Sequence, residues 1–142
     1  GMATAIRLRQ AVEPPVSVAV AFDAGNLEEV VKGLRKQYPS SRIFIAADDD
    51  HKLLKKPPYL NVGLEKAAAA AQAVKGVVIK PPLSDQDREN GLTDFDDIAR
   101  KSGLAAVSKV VKKALKHDQG VGKAKRSRPA QQEQDVGLEA AL

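Results

Sequence analysis

The stretch RIFIAADDD, residues 42–50, runs an apolar segment straight into three consecutive carboxylates, Asp48, Asp49 and Asp50. Its first part, RIFIAA (42–47), has the length and apolar character of a buried strand. Upstream, NLEEVVKGLRKQY (26–38) places Leu27, Val30, Val31 and Leu34 on one stripe, which predicts a helix. Asn26 can cap it, and Glu28 and Glu29 suit the positive end of its dipole. Before it, VSVAVAF (16–22) is another apolar, β-rich run. ATAIRLRQAV (3–12) reads as a helix ended by Pro14 and Pro15.

Downstream, a polar loop passes through Pro57, Pro58 and Tyr59, whose ring is expected to pack the loop. NVGLEKAAAAAQAV (61–74) predicts a helix capped by Asn61, with small residues that permit close packing on a sheet. VVIK (77–80) reads as a strand and 81–91 as a loop. TDFDDIARKSG (93–103) reads as a helix from a Thr93 cap to Gly103. LAAVSKVVKKALKH (104–117) is a basic amphipathic helix. Residues 1–117 are therefore expected to form the folded domain. Residues 118–142 are expected to be a basic, polar linker or tail, with VGLEAAL (136–142) at most a helical turn. Strands alternating with helices imply an α/β fold with a mostly parallel central sheet flanked by helices. Ligands of such sheets bind beyond the carboxyl ends of the strands. Asp23 and the Asp48–Asp50 cluster both stand there.

The composition narrows the chemistry. The 142 residues suit one compact domain, and aromatics are only 4%, so the core must be aliphatic. With no cysteine there is no disulfide, thiolate zinc site or cysteine nucleophile, and two histidines make no His-rich metal site. No apolar run approaches the ~20 residues of a membrane span, and the amino end lacks the pattern of a signal peptide. A cytoplasmic location without membrane contact is the expectation. The opening Gly1-Met2 reads as a boundary, so the chain is expected to be cut from a longer one. The net charge is +5, but Lys109 to Arg128 holds eight Lys or Arg against one Asp, a local +7 that leaves −2 for the remainder. Such a basic end is either a contact for a polyanion or a solubilising tail.

One aspartate after a strand needs no explanation beyond turn chemistry. Three repel one another unless a cation or solvent offsets them. In an extended backbone Asp48 and Asp50 point one way and Asp49 the other. Two converging carboxylates suit a hard divalent cation such as Mg²⁺. A solvated loop and a phospho-acceptor pocket are the other readings. Asp50 is followed by His51-Lys52-Leu53, which lacks the Gly-Thr or Gly-Val of dehalogenase-type phosphotransferases.

The segments GMATA (1–5), VSVAVAFDAGNLEEVVKGLR (16–35), YPSSRIFIAADDD (38–50), NVGLEKAAAAA (61–71) and GLTDFDDIA (91–99) occur in this order. Together they resemble the Toprim domain of plasmid- and phage-encoded DNA primases and primase-helicases, over roughly residues 1–115. The resemblance implies a Toprim-like layered fold. It also implies metal-dependent nucleotidyl transfer, in which a 3′-hydroxyl attacks an α-phosphate to make RNA primers in plasmid or phage replication or conjugation. An Asp-x-Asp pair, here Asp48 and Asp50, would be catalytic and bind Mg²⁺ or Mn²⁺, with Asp49 in the variable middle. The family's glutamate, in a Glu-Gly step, would fall immediately before Gly1. By the resemblance it and the first strand are missing, so this chain alone is expected to be inactive. Asp96 stands where relatives often carry Asn.

Further candidates near the site are Asp23, Asp49, Asp94, Asp96 and Lys52. The plainer readings are a turn for Asp23, helix-dipole stabilisation for Asp94 and Asp96, and charge compensation for Lys52. Lys109, Lys112, Lys113, Lys116, Lys123, Lys125, Arg126 and Arg128 are candidate nucleic-acid contacts. The expected partners are a single-stranded DNA template, nucleotides, and a helicase or other domains of the same polypeptide. Two rivals stay open. One is a non-catalytic nucleic-acid-binding or assembly module. The other is a phosphodiester nuclease of the same fold, which would use the same acidic centre.

Overall fold

The computed structural model describes residues 2–13, 17–20, 24–125 and 138–141. In chain order the elements are α1 (Met2–Ala11), β1 (Ser17–Val20), α2 (Leu27–Gln37), β2 (Ile43–Ala46), a 3₁₀ turn (His51–Lys55) and α3 (Val62–Val74). They continue with β3 (Val77–Ile79), α4 (Asp85–Glu89), α5 (Phe95–Ser102), α6 (Leu104–Lys125) and β4 (Leu138–Ala141). The four strands form one sheet in the order β1-β4-β2-β3, and every pairing is parallel. The α/β class with a parallel sheet is therefore observed.

β2 explains itself. All four of its residues are buried, because both faces of the sheet are covered. Ile43, Ile45 and Ala47 enter a core with Leu27 and Val31 of α2 and Ala67, Ala70, Ala71 and Val74 of α3. Phe44 and Ala46 enter a second core with Leu8 of α1, Phe95 and Ile98 of α5, and Val107 and Val111 of α6. A strand covered on both faces reads as a continuous apolar run rather than an alternating one. The alanines of α3 recur at i, i+3 and i+4, so its small-residue stripe lies flat on the sheet. Arg35 ties the far ends of α2 and α3 together: its Nε and Nη2 donate to the Val74 carbonyl at 3.1 and 2.8 Å, and its Nη1 to Ser41 O at 2.6 Å.

Several expectations are corrected. The helix cap expected at Thr93 is Asp94, whose side chain accepts the Asp97 N–H while Asp97 accepts the Asp94 N–H. α3 ends at Val74, where the sequence ends it, and Lys75 closes it at φ 54°. The expected loop at 81–91 contains the short α4, opened by a reciprocal Ser84–Asp87 capping box.

The largest difference is at the carboxyl end. α6 continues through Lys125 rather than ending at 117. Residues 138–141 form β4, not a helical turn, and it lies between β1 and β2. Leu138 is in register with Ser17 and Ile43, and Ala140 with Ala19 and Ile45. Leu, Glu and Ala favour helices when isolated. Here the pairing edges of two neighbouring strands override that preference.

Candidate functional site

The loop after β2 carries the three carboxylates, and each meets a different environment. Ala47 N–H still donates to Ile79 O at 2.9 Å, so the sheet holds the chain up to the first aspartate. The Asp49 N–H then donates to Thr93 O at 2.7 Å, which docks the loop against the start of α5. The Asp49 side chain is buried and fully engaged. It accepts from Asn61 Nδ2 at 2.7 Å and from Arg88 Nε and Nη2 at 3.2 and 3.1 Å. Asp49 is thus a structural anchor, and its charge is answered by the guanidinium of α4.

Asp50 turns to α3. Its Oδ2 accepts the Gly63 N–H at 2.8 Å, and its own N–H donates to Asn61 Oδ1 at 2.9 Å. Asn61 Oδ1 also accepts the Leu64 N–H at 3.3 Å and so caps α3. One buried carboxamide therefore holds Asp49, holds Asp50 and starts the helix. Gly63 is required at this contact. A Cβ there would lie inside van der Waals range of the Asp48 carbonyl oxygen and 2.8 Å from Asp50 Oδ2. The glycine lets the helix approach the acidic loop itself.

Asp48 is the carboxylate left over. It is half-buried, and its Oδ1 is buried without a hydrogen-bond partner. Burial pushes its carboxyl up to about 6, and the charges of Asp94, Asp50 and Asp97 add to the rise. An unpartnered oxygen in a field of like charge is what a cation would relieve. Of the loop carboxylates, Asp48 and Asp50 are the two that could hold a hard cation keeping several waters. Among the described residues, no group of three or more His, Cys, Asp or Glu side chains is arranged around a common point.

The other predicted residues divide. Asp94 and Asp97 lie close enough to act on Asp48 through their charge, while their side chains are spent on capping α5. Asp96 is not part of the cluster. It faces α1, paired to Arg7 at 2.9 Å and to Arg100 at 2.8 Å, and the Arg7 hydrogen bond holds its carboxyl below the usual range. Helical spacing explains this: Asp96, two residues after Asp94, points to another side of the helix. Lys52 is exposed and reaches toward Gly91, its Nζ 3.0 Å from where a Cβ would stand. His51 Nε2 lies 2.8 Å from Leu92 O, a second tie between this turn and the segment before α5. Tyr59 does not pack the loop; it is 61% exposed. Asp23, Arg126 and Arg128 lie outside the described residues. Lys109, Lys112, Lys113 and Lys116 are exposed on α6, which also carries Lys123 and Lys125.

Sequence reasoning missed Arg88 and the double duty of Asn61. Asn61 was visible as a cap. Its hold on the loop depends on α3 returning to the mouth of β2, which local pattern does not show.

No protein-family model matches the chain, and no solved structure matches it. Two curated relatives do. The chain is similar to a segment of DNA primase TraC. One TraC of Escherichia coli is 46% identical over 81 residues, covering 57% of this chain and 5% of the relative. A second DNA primase TraC of Escherichia coli is 37% identical over 81 residues, covering 57% of this chain and 7% of the relative. The chain thus spans only a small fraction of the length of the curated relatives it matches.

Proposed function

We propose that this chain carries the acidic, cation-binding part of a Toprim-type nucleotidyl-transfer domain in a DNA primase of plasmid replication or conjugation. The observation that carries the reading is the buried, unpartnered Asp48 Oδ1 beside Asp50, at the carboxyl end of a central parallel strand. Similarity to DNA primase TraC supports the reaction class. Asp48 and Asp50 would hold Mg²⁺ or Mn²⁺. Such an ion neutralises charge developing on a transferred phosphoryl group and orients attacking and leaving oxygens.

The chain's own residues prepare the site. Asn61 fixes the loop from inside, and Arg88 neutralises Asp49 so that, of the three loop carboxylates, Asp48 and Asp50 are left to present charge to a ligand. The amino end of α3, at Gly63, draws Asp50 into place through a backbone N–H. Nucleotides and a DNA template are the substrates in this reading. A titration of Mn²⁺ by calorimetry tests it, run beside an Asp48→Ala/Asp50→Ala variant. Binding to the parent and not to the variant is expected. Equal binding by both, or binding by neither, sinks the metal assignment.

A further inference from the structure

A second charged surface lies away from the acidic loop, on α6. One side of this helix is consumed by the core: Val107 and Val111 are fully buried, and Leu104, Ala106, Val110, Ala114 and Leu115 pack beside them. The other side carries Lys109, Lys112, Lys113 and Lys116, all exposed. Their spacing of i, i+3, i+4 and i+7 puts them on one stripe, about 10 Å long at the rise of a helix. With Ala105 and Ser108 they line an open depression of about 690 Å³. None of the four has an ion-pair or hydrogen-bond partner among the described residues. Residues 104–117 contain no Asp or Glu. Like charges four apart, as at 109/113 and 112/116, weaken a helix rather than support it. The stripe therefore works against the fold it sits on.

Its position separates it from the acidic loop. Arg42, at the start of β2, donates from Nη1 to Leu115 O at 3.2 Å. The Lys116 end of the stripe thus lies by the amino end of β2, whereas Asp48 follows the carboxyl end. Asp48 is six residue steps on from Arg42 along an extended backbone, roughly 20 Å. A polyanion on the stripe is held clear of the repelling carboxylates.

The chemistry narrows the partner. Insertion of α6 into a membrane surface is excluded, because the apolar face that would enter lipid is already in the core. A protein partner needs a desolvated aromatic or aliphatic anchor, and lysine is depleted from such interfaces. Among the described residues, the depression offers only ammonium groups, a methyl group from Ala105 and a Ser108 hydroxyl that already donates to Ala11 O at 2.8 Å. Its described lining has no aromatic platform for a base and no planar guanidinium for a base edge. Row-like point charges without anchors suit a phosphodiester backbone, whose binding is driven by counterion release. We infer that the α6 lysine stripe is a sequence-independent docking surface for a nucleic-acid backbone, separate from the acidic loop.

The test is fluorescence anisotropy of a labelled oligodeoxythymidylate over a salt series with the full chain. The comparison is a variant with Lys109, Lys112, Lys113 and Lys116 each changed to Gln. Circular dichroism should show the variant folded, since the changes remove repulsion and no contact. The parent is expected to bind with a steep salt dependence. At about 0.7 per phosphate contact on a single strand, the variant should lose roughly 3 from the log–log slope. Mn²⁺ binding by the quadruple variant, measured in parallel, should equal the parent's, so failure of the metal site and failure of the stripe are distinguishable. A folded quadruple variant with unchanged affinity and slope would overturn the stripe and assign binding to the basic residues after it. Displacement of the oligonucleotide by polyglutamate at equal charge would overturn the nucleic-acid assignment in favour of an acidic polypeptide.

Discussion

Asn61 donates from Nδ2 to the buried carboxylate of Asp49 at 2.7 Å, and the pair closes the acidic loop onto the amino end of α3. The same carboxamide accepts the Asp50 N–H through Oδ1. Both ends of one side chain are therefore committed, which makes its truncation informative. Asn61→Ala leaves Asp49, the Asp50 N–H and the first turn of α3 each short of a partner. A loss of about 2 kcal/mol in chemical denaturation is expected, the usual scale for a buried polar group left unpaired plus a lost cap. Asn61→Asp keeps the cap acceptor but turns an oxygen toward Asp49. It should destabilise at least as much at neutral pH and recover on acidification. A denaturation midpoint unchanged in both variants would show that the loop is held elsewhere.

Gly63 tests the same contact from the helix side. Its added Cβ would collide with backbone oxygen, which has no flexible end to swing away. Gly63→Ala should therefore displace the loop and cost about 1–3 kcal/mol, although alanine is the better helix former. Mn²⁺ affinity should fall with it if Asp48 and Asp50 are the ligands. A Gly63→Ala variant more stable than the parent would mean that helix and loop do not touch in solution.

The alternation of elements and the position of the carboxylates were legible in the sequence because both depend on local pattern. Ile43 to Ala47 shows its burial in its apolar run, and Asp48 to Asp50 show the strand's end. What was not legible depends on which distant segments meet. Asp49 looks like its neighbours until Arg88 arrives from α4, 39 residues on. Asp96 looks like a site residue until Arg7, 89 residues away, claims it. LEAA at 138–141 has no strand signature, because its pairing comes from β1 and β2 on either side.

That central strand carries its own prediction. β4 pairs with β1 on one edge and β2 on the other. Among the described strands β1 has no other partner. Deleting residues 138–142 should expose one edge of β2 and leave β1 unpaired. Amide hydrogen exchange should then lose protection at 17–20 first, with β2 and β3 retaining more. Protection at 17–20 equal to that of the full chain would show that β1 is held without β4.

The acidic loop also predicts a pH dependence. The carboxyl of Asp48 is raised to about 6 by burial and by Asp94, Asp50 and Asp97, from an ordinary 3.8. The folded state thus holds this proton more tightly than the unfolded chain. Between about pH 4 and 6, unfolding releases the proton, so stability must fall as pH rises through that window and level off above it. A shift of this size corresponds to at most roughly 3 kcal/mol, reduced by solvent screening of a half-buried group. Asp87 and Asp96 act in the opposite direction at lower pH. Lys101 and the Ser84 N–H hold Asp87 down to about 2, and Arg7 lowers Asp96. Their stabilisation is present above about pH 4 and is lost as pH falls through their folded values. The metal-free protein should therefore melt highest near pH 4, between the two windows. Asp48→Asn isolates the neutral limb. It should match the parent near pH 4 and melt higher than the parent above pH 6. Added Mn²⁺ should raise the parent's melting temperature at pH 7 by mass action and leave that of the Asp48→Asn variant where it was. Parallel melting curves for parent and variant from pH 4 to 7 would show that Asp48 is an ordinary solvated carboxylate, and the strand end would then need no cation.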